Sequence, residues 1–79
     1  MTILQTIEKG AQDRRLVAIS YVDSAGDSTQ RKIEPYEIKN GKVWGYCHSR
    51  DAIRQFAIHQ ILSASITDEV FEPRWAVKL

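Results

Sequence analysis

The sequence predicts a mainly β domain, a small and strongly bent antiparallel sheet or barrel with one short N-terminal helix. Segments rich in β-branched and aromatic residues recur at short intervals, and turn-forming residues separate them. No helical segment lies between these strands to serve as a crossover, which disfavours parallel pairing. About five antiparallel strands fit into the 79 residues, and we expect a single domain over residues 1–79.

The N-terminal helix is predicted over residues 3–12. Thr2 and Gln5 have the spacing of a capping box, in which each side chain bonds the backbone of the other. Apolar residues then follow at helical spacing: Leu4, Ile7 and Ala11. Gly10 weakens the end of this helix, which is short enough to require packing against another element.

The first two strands form a predicted hairpin. Residues 16–22 are rich in β-branched and aromatic side chains, and the polar loop 23–28 contains Gly26. The return strand, residues 29–34, alternates charges with little apolar content, which predicts a half-exposed strand or an edge. Pro35 has no N–H to donate, so we expect a bend or a strand end there.

The second half of the chain contains the strongest turn signal. Residues 36–39 are short and extended, and Asn40-Gly41 favours a type I′ hairpin. Strands are predicted over 42–48 and 53–62, with a last strand or a wrapping loop over 66–71 and a C-terminal extension over 72–79. The main candidates for burial are Val17, Ile19, Val43, Phe56, Ile58 and Ile61.

Composition and charge restrict the function classes. Hydrophobic residues make up 43% and charged residues 27%, which argues against disorder. The net charge of +1 means that any anion site must be a local cluster. Cys47 is the single cysteine, so no internal disulfide forms, and we expect a buried thiol. No stretch has the length of a membrane span or the pattern of a signal peptide, so the expected location is the cytoplasm, with no membrane partner.

A basic turn is the main candidate site. His48, Arg50 and Arg54 lie within seven residues, between two strands. Arginine offers a planar fork of donors and histidine adds another, so the three could hold a phosphate or a carboxylate. The alternative is that Arg50 and Arg54 are solvated charges beside the turn, with Asp51 as a local partner.

Aromatic residues extend this candidate site. On a regular strand, Trp44 and Tyr46 share one face with His48, and bases stack on such rings in small barrels that bind single strands. Tyr21 and Phe56 are expected to fill the core instead.

Catalysis is poorly supported by the sequence. Cys47 and His48 are adjacent, so they point to opposite faces of a strand and cannot form a nucleophile–base pair. His48, His59 and one cysteine do not have zinc-ligand spacing, and no glycine-rich phosphate loop is present. We therefore predict no catalytic residues, no metal and no cofactor.

Several motifs together carry a family resemblance. They are Arg14-Arg15-Leu16, Tyr21 with an Asp-x-x-Gly loop, Ile33-Glu34-Pro35-Tyr36, and Gly45-Tyr46-Cys47-His48-x-Arg50-x-x-Ile53-Arg54-x-Phe56-x-Ile58-x-x-Ile61. In order and spacing, residues 7–71 resemble the WYL domain. The resemblance implies an SH3-like or Sm-like barrel with a short leading helix. It also implies a ligand-sensing role in bacterial transcription regulators or defence systems, where several members bind nucleic acid or nucleotide-like ligands.

Two positions depart from the family pattern. The tripeptide that names the family falls on Gly41-Lys42-Val43, with Trp44 one residue further on, and a usual basic position falls on Gln60. His48, Arg50 and Arg54 match the polar and basic positions of the family. The predicted ligand-binding residues are His48, Arg50, Arg54, Tyr46 and Trp44.

The function predicted from these observations is that of a non-catalytic, ligand-sensing regulatory module in a bacterial or phage transcription-regulation or defence context. It would bind an anionic ligand, either a nucleotide or a single-stranded nucleic acid. The alternative is a protein–protein interaction or homodimerisation module that uses edge strands and Trp75. The initial Met1 favours a stand-alone protein over a domain cut from a longer one.

Overall fold

A computed structural model describes residues 1–79 and shows one helix and one five-stranded sheet. The elements are α1 (Ile3–Gln12), β1 (Arg15–Val22), β2 (Ser28–Lys39), β3 (Lys42–Cys47), β4 (Ala52–Ala57), a 3₁₀ turn (Ile58–Gln60) and β5 (Ile61–Val70). All neighbouring strands are antiparallel, in the order β4-β3-β2-β1-β5. The mainly β architecture with an N-terminal helix is therefore confirmed, in one sheet that is not closed.

The helix begins as the sequence predicts. Thr2 Oγ1 accepts a hydrogen bond from the backbone N–H of Gln5 at 3.1 Å, and Gln5 Oε1 accepts one from the N–H of Thr2 at 2.9 Å. This capping box satisfies two backbone donors that the first turn leaves free. Ile7 and Ala11 are fully buried, so α1 covers the inner face of the sheet. No helix of the chain has the length and apolar character needed to cross a membrane.

The inner face of the sheet carries the main core. Eight buried residues form it: Ile7, Val17, Ile19, Ile33, Val43, Cys47, Phe56 and Ile61. Five of the six predicted core residues are among them, whereas Ile58 is only half-buried. Cys47 is a free, fully buried thiol, as predicted. The Tyr21 ring packs edge-on against Phe56 at 5.0 Å between centroids.

Strand β2 corrects the prediction around Pro35. The chain does not end a strand there, because β2 runs from Ser28 to Lys39. The strand lies between β1 and β3 rather than at an edge, but its first five residues alternate between exposed and half-buried, which agrees with the predicted half-exposed strand. A register shift between Pro35 and Glu37 marks a β-bulge. A bulge tolerates a residue that cannot donate to the ladder, which is how a central strand accommodates this proline.

The prediction of one strand over residues 53–62 is wrong. Strand β4 ends at Ala57, a 3₁₀ turn follows, and β5 begins at Ile61. The break is required because β4 and β5 lie at opposite edges of the sheet, so the chain must cross from one edge to the other. The N–H of Ile58 donates to the carbonyl of Gly41 at 2.9 Å and holds the start of this crossing. The segment predicted as a strand or loop over 66–71 is the second half of β5.

Most of the last nine residues fold back over the outer face of the sheet, and the final residue, Leu79, packs against the main core. We call residues 71–79 the C-terminal segment. The N–H of Phe71 donates to the carbonyl of Arg14 at 2.9 Å, and the N–H of Lys78 donates to the carbonyl of Tyr36 at 2.7 Å. Phe71 joins Leu16 and Tyr36 in a second, smaller apolar cluster. This cluster covers one end of the outer face and leaves the other end open.

Candidate functional site

Strand β3 and the residue that follows it present three of the predicted site residues on the outer face. The alternate residues Val43, Gly45 and Cys47 are buried on the inner side. Trp44 and Tyr46 are half-buried, and the His48 side chain is 40% exposed. The period-two alternation of a strand therefore brings Trp44, Tyr46 and His48 together, as the sequence predicts.

A buried carboxylate lies next to this row. Glu34 pairs with Tyr46 across β2 and β3, and its side chain is only 2% exposed. Three donors satisfy it. The Tyr36 hydroxyl lies 2.5 Å from Oε1 and His48 Nε2 lies 2.7 Å from Oε2, while Arg74 Nε lies 3.2 and 3.3 Å from the two oxygens.

These contacts decide the charge of Glu34. Burial by itself raises the pKa of the carboxyl, but hydrogen bonds from Tyr36, His48 and Arg74 and the positive charge of Arg74 outweigh it and lower the pKa. The carboxylate is therefore ionised at neutral pH and can only accept hydrogen bonds. Because it only accepts, Nε2 of His48 must carry a proton and donate it.

Tyr36 acts as a neutral donor in the same cluster. Burial, followed by the neighbouring Glu34 carboxylate, raises the pKa of the phenol to about 12, although the backbone N–H of Arg74 lowers it in part. The hydroxyl accepts a hydrogen bond from that N–H at 3.0 Å while it donates to Glu34. Tyr36 thus links the bulge of β2 to the C-terminal segment.

The C-terminal segment supplies the remaining walls of the cluster. The Arg74 guanidinium lies 3.9 Å from the centre of the Tyr46 ring, within the range of a cation–π contact. Trp75 packs edge-on against Tyr36, with the ring centroids 5.3 Å apart. Arg74 therefore contacts a carboxylate and an aromatic face at once.

A groove opens beside His48, at the end of the outer face that the C-terminal segment leaves uncovered. It measures about 450 Å³. Six residues line it: Ala18, Gln30, Arg31, Lys32, His48 and Ser49. A smaller hollow of about 140 Å³ shares Ala18 and Gln30 with it and adds Ser20, Ser63 and Ser65. Small polar side chains thus form a shallow channel that leads to the basic residues of the groove.

An aromatic recess lies beside the contact between Arg74 and Tyr46, on the side away from the groove. It measures about 290 Å³. Its lining is mostly apolar: Tyr36, Glu37, Trp44, Ile53, Trp75, Ala76 and Lys78. The predicted site residue Trp44 is therefore part of this recess rather than of the basic groove.

The two predicted arginines lie apart from each other. Arg50 is exposed in the turn after β3, directly after the groove residue Ser49, and its N–H donates to the carbonyl of Cys47 at 3.2 Å. Arg54 is exposed on β4 and pairs with Gly45. Paired residues share a face, so Arg54 points to the inner side of the sheet, away from His48. Neither arginine forms an ion pair, with Asp51 or with any other residue.

The sequence did not predict Glu34, Lys32 and Arg74 as site residues, and it indicated Tyr36 only as aromatic surface. A signal existed for Glu34 and Tyr36, because a charged residue interrupts an apolar run in the quoted motif Ile33-Glu34-Pro35-Tyr36. No local signal pointed to Arg74, which is 40 residues from Glu34. No group of three or more histidine, cysteine, aspartate or glutamate side chains is placed to hold a metal ion.

Comparisons with known proteins agree with this architecture. Proteasome accessory factor B/C (PafBC) of Arthrobacter aurescens superposes with a TM-score of 0.78 over 91% of this chain, at 19% sequence identity. That identity indicates a shared fold only, and the chain spans 13% of the length of that protein. The sequence profile of the WYL domain matches residues 2–66. The match covers most of the chain, which therefore belongs to the WYL domain family.

Proposed function

We propose that this WYL domain is a non-catalytic, ligand-sensing module of bacterial transcription regulation or defence, working in the cytoplasm. Its ligand is an anion, either a nucleotide or a short stretch of single-stranded nucleic acid. The observation that carries the proposal is the groove beside His48, where Lys32 and His48 line a site open to solvent. We also propose that the domain is an SH3-like or Sm-like barrel, built from the open five-stranded sheet.

The groove has the chemistry that a phosphate requires. Lys32 offers charged donors, although it also pairs with Glu69, and Ser49 and Gln30 add neutral donors. Because Nε2 of His48 donates to Glu34, the ring offers a further donor, Nδ1–H, in its cationic form. The small residues Ala18 and Ser20 leave room for a sugar–phosphate backbone to lie close to the sheet. Arg50, which has no acidic partner, follows Ser49 and is free to add a fork of donors at the rim.

The aromatic side chains provide the second component of a single-strand site. Trp44 lines the recess next to Trp75, and Tyr46 lies between that recess and the groove residue His48. Stacking on such rings contributes about 1–3 kcal/mol per base without much sequence preference. We propose that bases contact this aromatic row while phosphates lie in the groove.

The test is a titration of short single-stranded oligonucleotides and of nucleotides, followed by fluorescence anisotropy at two salt concentrations. Binding by the wild type should weaken as salt rises, because phosphate contacts release counterions. His48→Ala and Lys32→Ala should each reduce affinity about ten-fold or more, since a hydrogen bond to a charged group contributes roughly 1.5–3 kcal/mol. Unchanged affinity in both variants would contradict the groove assignment.

Arg50 and Arg54 provide a matched comparison. Arg50→Ala should weaken binding because it follows the groove residue Ser49. The basic turn in the sequence also predicts a role for Arg54, whereas its pairing with Gly45 leads us to expect little effect of Arg54→Ala. A large loss in the Arg54 variant would show that the ligand reaches the inner side of the sheet.

A second candidate function is homodimerisation through the sheet edges. Both edge strands expose large apolar side chains: Ile53 at 46% on β4, and Leu62 at 59% and Val70 at 71% on β5. Unpaired strand edges of this kind favour association with another strand. Sedimentation equilibrium of the wild type distinguishes the two functions. A salt-insensitive dimer that binds no oligonucleotide would favour association over anion binding.

A further inference from the structure

We infer that Arg74 of the C-terminal segment is a positioning residue that sets the affinity of the anion site, because it cancels the negative charge of Glu34 behind His48. This inference rests on the proposed function. Arg74 lies outside residues 2–66, which match the family profile, so the effect belongs to the C-terminal segment of this chain.

The negative charge of Glu34 lies next to the groove. His48 lines the groove and at the same time contacts Glu34, with Nε2 at 2.7 Å from Oε2. An anion that binds His48 therefore approaches a carboxylate that lies directly behind the ring. Glu34 is buried, so solvent and salt screen its repulsion of a nearby anion less than they screen two exposed charges.

The groups that contact the Glu34 carboxylate differ in the charge they bring to it. Tyr36 donates a hydrogen bond but brings no charge, and His48 brings at most one positive charge. If His48 were the only cation, its charge would be consumed by Glu34 and none would remain for the ligand. Arg74 supplies a permanent positive charge at 3.2 Å from the same carboxylate.

Arg74 is the only permanent cation that forms an ion pair with Glu34. Glu34 forms ion pairs with His48 and Arg74 only. Lys32, the nearest lysine of the groove, is paired with Glu69 at 2.5 Å. With Arg74 in place, the charges of Glu34 and Arg74 cancel, and so do those of Lys32 and Glu69. His48 then faces the ligand without an uncompensated carboxylate behind it.

A double-mutant experiment tests this inference. The probe is a 5′-phosphorylated oligothymidylate, with inorganic phosphate as a competitor, and the proteins are wild type, Arg74→Ala, Glu34→Gln and the double variant. Arg74→Ala should weaken binding about ten-fold or more, the size of one charged contact. The same replacement in the Glu34→Gln background should have an effect of less than about three-fold, because no negative charge then remains to cancel.

Two further variants separate charge from structure. Arg74→Lys keeps the charge and should retain most of the affinity, whereas Lys9→Ala removes a positive charge from the exposed end of α1 and should change nothing. A Lys variant as weak as the Ala variant would overturn the inference, because shape rather than charge would then decide. Equal losses from Arg74→Ala in both Glu34 backgrounds would also overturn it, since Arg74 would then act on the anion directly or only hold the segment.

The outcomes also separate this inference from the proposed function. If the wild type binds neither probe, both are overturned. If the wild type binds and Arg74→Ala binds equally well, the anion site stands and the role of Arg74 is rejected. Thermal unfolding of every variant checks that a loss of affinity does not come from a loss of the fold.

Discussion

Glu34 on β2 contacts His48, the first residue after β3, with 2.7 Å between the carboxylate oxygen and the ring nitrogen. One of them is buried and the other is 40% exposed at the mouth of the groove. The contact therefore links a buried carboxylate to the exposed surface where we place the ligand. It also makes the charge of a buried carboxylate relevant to both stability and binding.

The first prediction concerns stability in acid. Hydrogen bonds and the charge of Arg74 outweigh burial and lower the pKa of Glu34 in the folded state. A depressed folded pKa stabilises the protein above the unfolded pKa of roughly 4.3, and this contribution is lost as the pH falls through the folded value. Urea unfolding from pH 7 to pH 3 should show this loss.

Glu34→Gln is the matched variant for this measurement, because it keeps the size of the side chain and cannot titrate. The difference in unfolding free energy between wild type and variant should shrink as the pH falls below the carboxyl range. A difference that stays constant over the whole range would contradict the depressed pKa of Glu34.

The second prediction concerns stability in alkali. Burial and the neighbouring carboxylate raise the pKa of Tyr36 to about 12 in the folded protein, against about 10 in the unfolded chain. The stabilising contribution is complete below pH 10 and is lost as the pH rises towards 12. Tyr36→Phe removes the titrating group and should flatten this part of the stability curve, as measured by urea unfolding. Equal alkaline slopes in both proteins would argue against a buried phenol.

The third prediction concerns the turn between β2 and β3. Asn40 and Gly41 have φ angles of +54° and +72°, and they join the paired residues Lys39 and Lys42, as a type I′ hairpin requires. A β-branched residue is strained at positive φ, so Gly41→Val should destabilise the protein by roughly 1 kcal/mol or more. Lys42→Val, next to it in the strand, is the control and should cost little. A thermal midpoint unchanged by Gly41→Val would be incompatible with this turn.

The fourth prediction sets helix propensity against packing at Gly10. Propensity alone predicts that Gly10→Ala stabilises α1 by about 1 kcal/mol. In the structure, however, a Cβ at this position would lie 2.3 Å from Cγ2 of the buried Val17. We expect the packing conflict to win, with a net loss of stability of about 1–3 kcal/mol. A gain in the thermal midpoint would show that the helix can move away from the sheet at little cost.

The local features of this chain could be predicted from the sequence. The capping box at Thr2 and Gln5, the Asn40-Gly41 turn and the alternating faces of β3 each depend on residues within one short segment. Backbone preferences and side-chain periodicity act over those distances, so consecutive residues carry the information. The row of Trp44, Tyr46 and His48 on one face follows from the same alternation.

The features that create the site were decided by tertiary structure. Pro35 could be placed inside a central strand only because a bulge forms against β3, and Arg54 points inward only because it pairs with Gly45. Glu34 and Arg74 are 40 residues apart, and neither residue has a local sequence feature that identifies the other. Burial of Glu34 becomes possible when the C-terminal segment brings a charge and covers the carboxylate, because an unpaired buried charge is too costly to persist.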